Sequence, residues 1–338
     1  ATSTKALSRP LAQSVFRLAT VGSLLLYAAQ PPLEWSPLAW IAPCFWLWIA
    51  TRPELGSRRP YLKLWLAGWI YWMLAIHWIR LAHPYTIFGL FLLAGYLAVY
   101  LPLFVAVVRL GIHRLRLPLL LVAPAAWVAG EWLQANLMSG FLMGALSHSQ
   151  IHYLQLAQIS DLGGAYTISF VVMLVAAALT LLVRSWGARH TSPGWRGSLV
   201  ATAVAVATLA AAHLYGAQQL ATELTHTSDT TRRIALVQGS HRAVWVHDDQ
   251  RDQRVMATYE RLTSEAALAA KATGQRLDLV VWPESMHRVG IFTYADDLKH
   301  DSEGGMSLAE AEALGPAVLA DLARSSDSPL LVGTDRVV

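Results

Sequence analysis

Residues 85–108 read YTIFGLFLLAGYLAVYLPLFVAVV, 24 positions without one charged side chain, closed by Arg109. About 20 such residues, wound as a helix, cross the ~30 Å hydrocarbon layer of a bilayer. In that solvent every backbone polar group must be satisfied within the segment, which a helix does. The reading extends outward in both directions. Comparable apolar stretches cover 13–30, 36–51, 62–82, 117–137, 165–183 and 197–215, the second of them interrupted by Pro37 and Pro43. Seven membrane-crossing helices are therefore predicted.

Composition agrees. The chain has 338 residues, 55% of them apolar and 14% charged, against about 25% charged in ordinary soluble domains. This excludes a disordered protein, a disulfide scaffold and an ordinary cytosolic enzyme. The single cysteine, Cys44, excludes an internal disulfide. It reads as a small apolar residue of a helix.

Charge is distributed unevenly. Residues 1–216 are basic and the remainder is acidic. Among the predicted loops of the basic half, all Lys and Arg except Arg80 fall in the N-terminal tail and every second loop. That asymmetry predicts a cytoplasmic N-terminus. Seven crossings then put residues after about 217 outside, in a periplasm-like space. The basic balance reflects these membrane-flanking cations and does not indicate nucleic acid.

Several polar groups stand out in the apolar half. The loop 134–164, QANLMSGFLMGALSHSQIHYLQLAQISDLGG, lacks Lys and Arg and is predicted to sit at the lipid interface. It serves either as a packing segment or as the wall of a lipid-facing opening. Glu131 near the end of the fifth stretch is costly in a membrane unless it meets protein or water. His148 and His152 have helical i,i+4 spacing but no third ligand beyond Asp161, and His77 is isolated. All three read as hydrogen-bonded structural histidines, and no complete metal or cofactor motif appears. The seven tryptophans Trp40, Trp46, Trp48, Trp65, Trp69, Trp72 and Trp78 read as interface anchors or bundle packing.

After residue 216 the pattern changes. A linker is predicted over 217–231, then an α/β domain over 232–338. Residues 233–239 and 277–282 read as buried strands, with 329–333 as a third. Helical periodicity covers 249–273, with Val255, Tyr259, Leu262, Ala266 and Ala269 on one face, and a second helix covers 307–324. Glu284 follows the second strand directly, at the carboxyl edge where α/β sheets place their sites. Pro283 stiffens that turn and Trp282 offers an apolar wall. A carboxylate there serves either as a general base or as a solvated turn acid.

The segments Ala-Leu-Val-Gln-Gly (235–239), Trp245 and Leu-Val-Val-Trp-Pro-Glu-Ser (279–285) resemble the start of a carbon-nitrogen hydrolase, or nitrilase-superfamily, domain. The first half resembles the membrane branch of that superfamily, the apolipoprotein N-acyltransferases. The similar segments are 30–40, Gly68-Trp69, His77-Trp78-Ile79, Glu131-Trp132-Leu133, Ser139-Gly140-Phe141, Ser149-Gln150 and 156–164. The resemblance implies a multi-pass helical membrane bundle followed by an α-β-β-α sandwich on the periplasmic side. It implies transfer of an acyl chain from phospholipid to the N-terminal amine of a diacylglyceryl-cysteine lipoprotein, through a Cys thioester and without a cofactor. The catalytic set is Glu-Lys-Cys. Glu284 takes the Glu position by its Trp-Pro-Glu context, and Gln238, Trp245 and Trp282 are the expected substrate-binding residues.

Neither Lys271 nor Lys299 fits the Lys position, and Cys44 does not fit the nucleophile. The family's Lys and Cys are expected downstream of Val338, so the domain is read as truncated and this chain as inactive alone. Leu142-Met143, Met286-His287-Arg288 and the acidic stretch 292–306 depart from the family pattern. Two alternative readings remain: a membrane-tethered amidase of nitrilase type, and a catalytically dead membrane scaffold.

Overall fold

The computed structural model describes residues 14–187, 194–225, 232–241, 249–284, 287–292 and 308–337. The chain divides into two compact units, Ala1–Thr227 and Ser228–Val338.

The first unit is helical. Helix α1 (Val15–Ala29) is followed by a 3-10 turn, Ser36–Trp40, and α2 (Ala42–Ala50). Then come α3 (Pro60–Ala75), α4 (Thr86–Leu97), α5 (Tyr100–Arg109) and α6 (Leu119–Asn136). Two four-residue helices, α7 (Leu154–Ala157) and α8 (Ser160–Gly163), precede the long α9 (Ala165–Gly187) and the 32-residue α10 (Gly194–Thr225).

Helices occupy all seven apolar stretches. Among the described residues, three are long and apolar enough to cross a membrane: Thr86–Arg114, Ala165–Trp186 and Trp195–Thr222. Val15–Ala29 and Ser36–Ala50 are apolar but shorter. The second stretch is short for a physical reason: Pro37 and Pro43 restrict it to a 3-10 turn joined to nine α-helical residues. The last differs the other way. Helix α10 continues to Thr225, through most of the predicted linker, because 217–225 contains good helix formers and neither Gly nor Pro.

Small residues let these helices approach closely. A Cβ added to Gly22 on α1 would lie 2.8 Å from Trp46 Nε1 and 2.9 Å from the Ala42 carbonyl oxygen. One added to Gly68 on α3 would meet the Ala98 carbonyl oxygen at 3.2 Å. Pro102 has no N–H to offer that carbonyl, and the α-helix is interrupted at Ala98–Val99, between α4 and α5. Trp46 stacks on Trp127 of α6 at 5.4 Å between centroids, with Phe104 edge-on to Trp127 at 5.1 Å. Two loop cations have structural partners. Arg109 donates to the carbonyls of Ala50 and Pro53 at the end of α2, and Arg184 donates to Thr51 Oγ1 at 2.9 Å.

The second unit is an α/β arrangement. Strands β1 (Ile234–Leu236), β2 (Leu279–Val281), β3 (His287–Phe292), β4 (Leu330–Leu331) and β5 (Thr334–Val337) alternate with α11 (Asp249–Ala272) and α12 (Leu308–Ser326). β1, β2 and β4 form a parallel sheet with β2 central, in the register Leu236 to Val281 to Leu331. β3 and β5, which the hydropathy pattern did not predict, pair in a separate parallel ladder. These are short strands, and they establish an α/β pattern without completing a four-layer sandwich.

The core of this unit gathers Val237, Val255, Tyr259, Ala267, Leu277, Val280, Trp282 and Leu322. Its α11 stripe runs Val255, Tyr259, Thr263, Ala267, Ala270, with Ala269 exposed. Of the predicted face, Val255 and Tyr259 are buried and Leu262 and Ala266 are partly buried against this core; Ala269 alone of the five is exposed. Thr263 also turns inward, and its hydroxyl accepts the Trp282 indole N–H at 3.0 Å.

Candidate functional site

Parallel pairing places the ends of β1, β2 and β4 along one edge. Val237-Gln238-Gly239 leave β1 there, and Trp282-Pro283-Glu284 leave β2. Glu284 is exposed at this edge and Gln238 is exposed two residues beyond β1. Tyr259 fixes the same edge from beneath, its hydroxyl accepting the Gly239 N–H at 3.1 Å. The sequence therefore brings Glu284 and Gln238 to a common edge.

Trp282 is placed differently from the expectation of a ligand-facing wall. It is buried, 5.1 Å from Tyr259 between ring centroids, and bonded to Thr263. Alternation along the strand explains this: Val280 and Trp282 point into the core. Trp282 holds the turn from below, and Glu284 stands on it. Trp245 lies outside the described residues. Lys271 sits in the last turn of α11, which returns from the carboxyl edge toward the amino ends of the strands, so the topology separates it from Glu284. Lys299 lies outside the described residues. At the amino end, Asp278 accepts the Arg233 backbone N–H at 2.8 Å and pairs with Arg232. The backbone bond first, and the guanidinium second, hold its carboxyl below the usual range.

The helical unit carries a second set of polar groups, in and around the 134–164 loop. Glu131 is buried, and its Oε1 accepts from Trp127 Nε1 and from the Leu146 backbone N–H, both at 2.8 Å. Gln134 Nε2 donates to the Phe141 carbonyl, and Gln30 Nε2 to that of Ala145. Gln150 accepts from Trp40 Nε1 and donates to the Ser36 carbonyl. The loop is thus folded back into the bundle by buried amides and one carboxylate, with its 3-10 turn Leu146–Gln150 at the centre. Sequence reading singled out Glu131 but passed over Gln30, Gln134 and Gln150 as site-shaping residues. The available signal was amide side chains inside otherwise apolar stretches.

The histidines behave as structural groups. His152 Nε2 lies 3.3 Å from Glu34 Oε2, and His77 Nδ1 is 2.8 Å from the Leu74 carbonyl oxygen. Burial pushes the His148 ring below its ordinary value. No cluster of three metal-ligating side chains occurs among the described residues. Cys44 Sγ lies 3.4 Å from the Ala176 carbonyl oxygen, packed between α2 and α9.

Comparison with known proteins bears on both units. Residues 22–178 match the family profile described as the apolipoprotein N-acyltransferase N-terminal domain. An apolipoprotein N-acyltransferase from Rhodopirellula baltica is 33% identical over 280 residues, covering 80% of this chain and 48% of the relative. One from Chromobacterium violaceum is 30% identical over 348 residues, covering 95% of this chain and 59% of the relative.

The chain resembles the apolipoprotein N-acyltransferases over most of its length.

It spans about half the length of the curated relatives it matches; for the one from Geobacter metallireducens the share is 51%. The segment matched to the family's N-terminal domain contains the whole set of buried amides, from Gln30 to Gln150, and Glu131 with its two donors. The alignment with the Chromobacterium relative extends over nearly the entire chain, so the family likeness includes the second unit.

Proposed function

We propose that this chain is the membrane part and the beginning of the catalytic domain of an enzyme that N-acylates lipoproteins. In this reading seven helices cross a bacterial inner membrane, and the second unit begins a nitrilase-type α-β-β-α domain on the periplasmic side. The acyl donor is a phospholipid and the acceptor is the α-amine of a diacylglyceryl-cysteine. Both substrates carry fatty chains that leave the bilayer only at ~0.8 kcal/mol per CH₂. A catalytic domain tethered at the membrane surface meets them without that cost.

The chemistry follows from a carboxylate at the sheet edge acting with a thiol. Glu284 takes the proton of a cysteine thiol as its sulfur attacks the ester carbonyl of the phospholipid. The ester C–O bond breaks, and the departing lysophospholipid alkoxide receives that proton. The lipoprotein amine then attacks the thioester, the amide bond forms, and its proton passes by way of Glu284 to the leaving thiolate. The family's Lys donates to the oxyanion at each tetrahedral stage. Neither the Cys nor the Lys has a counterpart among residues 1–338, so the reaction is assigned to the full-length protein. Gln238 and Trp245 are the proposed substrate contacts of this chain, and Trp282 positions the turn that carries Glu284.

The observation that carries this reading is the co-occurrence, in one chain, of the family's membrane domain and an exposed Glu284 directly after a central parallel strand. The test is complementation of lipoprotein N-acylation by the full-length protein. Glu284→Gln is expected to lower turnover roughly 10²- to 10⁴-fold at unchanged protein level, the usual share of a general base. Retained turnover would remove Glu284 from the mechanism. Labelling of single cysteines introduced on exposed faces of α11 in intact cells checks the topology; protection from an impermeant reagent overturns the periplasmic assignment.

A further inference from the structure

Three buried polar atoms of the helical unit have no hydrogen-bond partner and belong to side chains lining one cavity. They are Ser23 Oγ on α1, Tyr71 Oη on α3 and Glu131 Oε2 on α6. Their residues are between 1% and 6% exposed. The Ser169 hydroxyl lies near the Glu131 carboxyl, yet Oε2 has no partner with hydrogen-bonding geometry. The cavity measures about 210 Å³, and its remaining wall is mainly apolar, with Trp46, Leu101, Phe104 and Trp127 prominent. Gly144 closes one side, where an added Cβ would lie 3.0 Å from Tyr71 Oη.

A buried polar atom without a partner is expensive, and native structures resolve almost all of them with protein, water or ligand. Here the protein supplies nothing to three at once. The first carboxylate oxygen of Glu131 takes two donors, Trp127 and Leu146, and the second is left without one. Water alone suits a polar cavity and fits poorly against this apolar wall. A hydroxyl joined to an alkyl chain suits both parts. It donates to Glu131 Oε2, accepts from Tyr71 or Ser23, and lays its chain against the aromatic wall.

We propose that this cavity binds the glycerol hydroxyl and adjoining chain of a single-chain lipid, with a monoacylglycerol and a monoacyl phospholipid as the two sources of that chemistry. The site is built wholly from the helical unit and stands independently of the role assigned to Glu284.

The experiment uses the full-length protein in nanodiscs, a 1-monoacylglycerol carrying a diazirine on its chain, irradiation and mass mapping of adducts. Adducts are expected on α5 and α6 around Phe104 and Trp127. Excess 1-monooleoylglycerol or monooleoyl phosphatidylcholine should displace them, and hexadecane should not. Whichever glycerol lipid competes at the lower concentration identifies the source. Tyr71→Phe and Ser23→Ala should each weaken labelling roughly three- to tenfold, the size of one hydrogen bond. Neither should lower the melting temperature of the lipid-free protein, because each removes an atom the protein leaves unsatisfied. Equal displacement by hexadecane, adducts confined to other helices, or variants that lower the melting temperature with labelling unchanged would each overturn the proposal.

Discussion

At the scale of single residues, the carboxyl edge of the small sheet depends on what lies beneath it. Trp282 is held by its ring against Tyr259 and by its N–H on Thr263. Trp282→Phe keeps most of the ring volume and orphans a buried hydroxyl. A loss of about 1–3 kcal/mol in the stability of the second unit is expected, read by chemical denaturation of the full-length protein. Asp278 gives a pH signature. Its carboxyl is depressed in the folded state, so its stabilisation is present above the ordinary carboxylate value of about 3.9 and is lost as pH falls through the lowered folded value. Asp278→Asn should therefore melt below the wild type at pH 7, and the difference should shrink toward zero near pH 2. A constant gap across that range would contradict the assignment. Glu284 was legible from the sequence because Trp-Pro-Glu after an apolar run is a local signal. The inward turn of Trp282 and Thr263 was not legible, since hydropathy places a threonine outside and only the tertiary bond with the indole reverses it.

At the scale of elements, the helices of the first unit were readable and their lengths were less so. Charge-free runs such as 85–108 announce themselves, whereas the break at Ala98–Val99 and the 3-10 turn at Ser36–Trp40 depend on which carbonyls find partners elsewhere. The crossings rely on glycine. Gly22→Leu forces side-chain atoms into Trp46 and the Ala42 carbonyl, so α1 and α2 must separate. A loss of about 1–3 kcal/mol, typical of overpacking, is expected in thermal melts of the detergent-solubilised protein. Gly89, whose added Cβ would meet nothing within 4 Å, is the control and should tolerate Ala with little change. The 134–164 loop shows the limit of periodicity. Its fold follows from hydrogen bonds to Gln30 and Glu131 and from Gln150 to Ser36, partners far from the loop or at its margin in sequence, and no local pattern encodes them.

At the scale of the whole molecule, the two environments are written in composition: an apolar basic half and an acidic mixed half. That division is why the two-unit organisation can be read without a structure. The orientation of the cations is a global property as well. Arg109 and Arg184 satisfy backbone and hydroxyl acceptors near the end of α2 while also counting toward the loop asymmetry. Replacing both with glutamine should destabilise the bundle and also weaken the topological bias, and a tagged-terminus protease protection assay separates the two outcomes. A melting shift with unchanged protection would mean that the eleven other loop cations suffice for orientation.

The length of α10 has a mechanical consequence. Thirty-two residues at 1.5 Å rise make a rod of about 48 Å, against about 30 Å of hydrocarbon. A steep rod keeps about three turns clear of the oil, and its last part carries Gln218, Gln219 and Thr222, which favour water. The polypeptide therefore departs from the lipid as a stiff mast and not as a slack string, and a thicker sheet of lipid swallows more of the mast. The height of its C-terminal end above the lipid is in this way a gauge of local bilayer thickness.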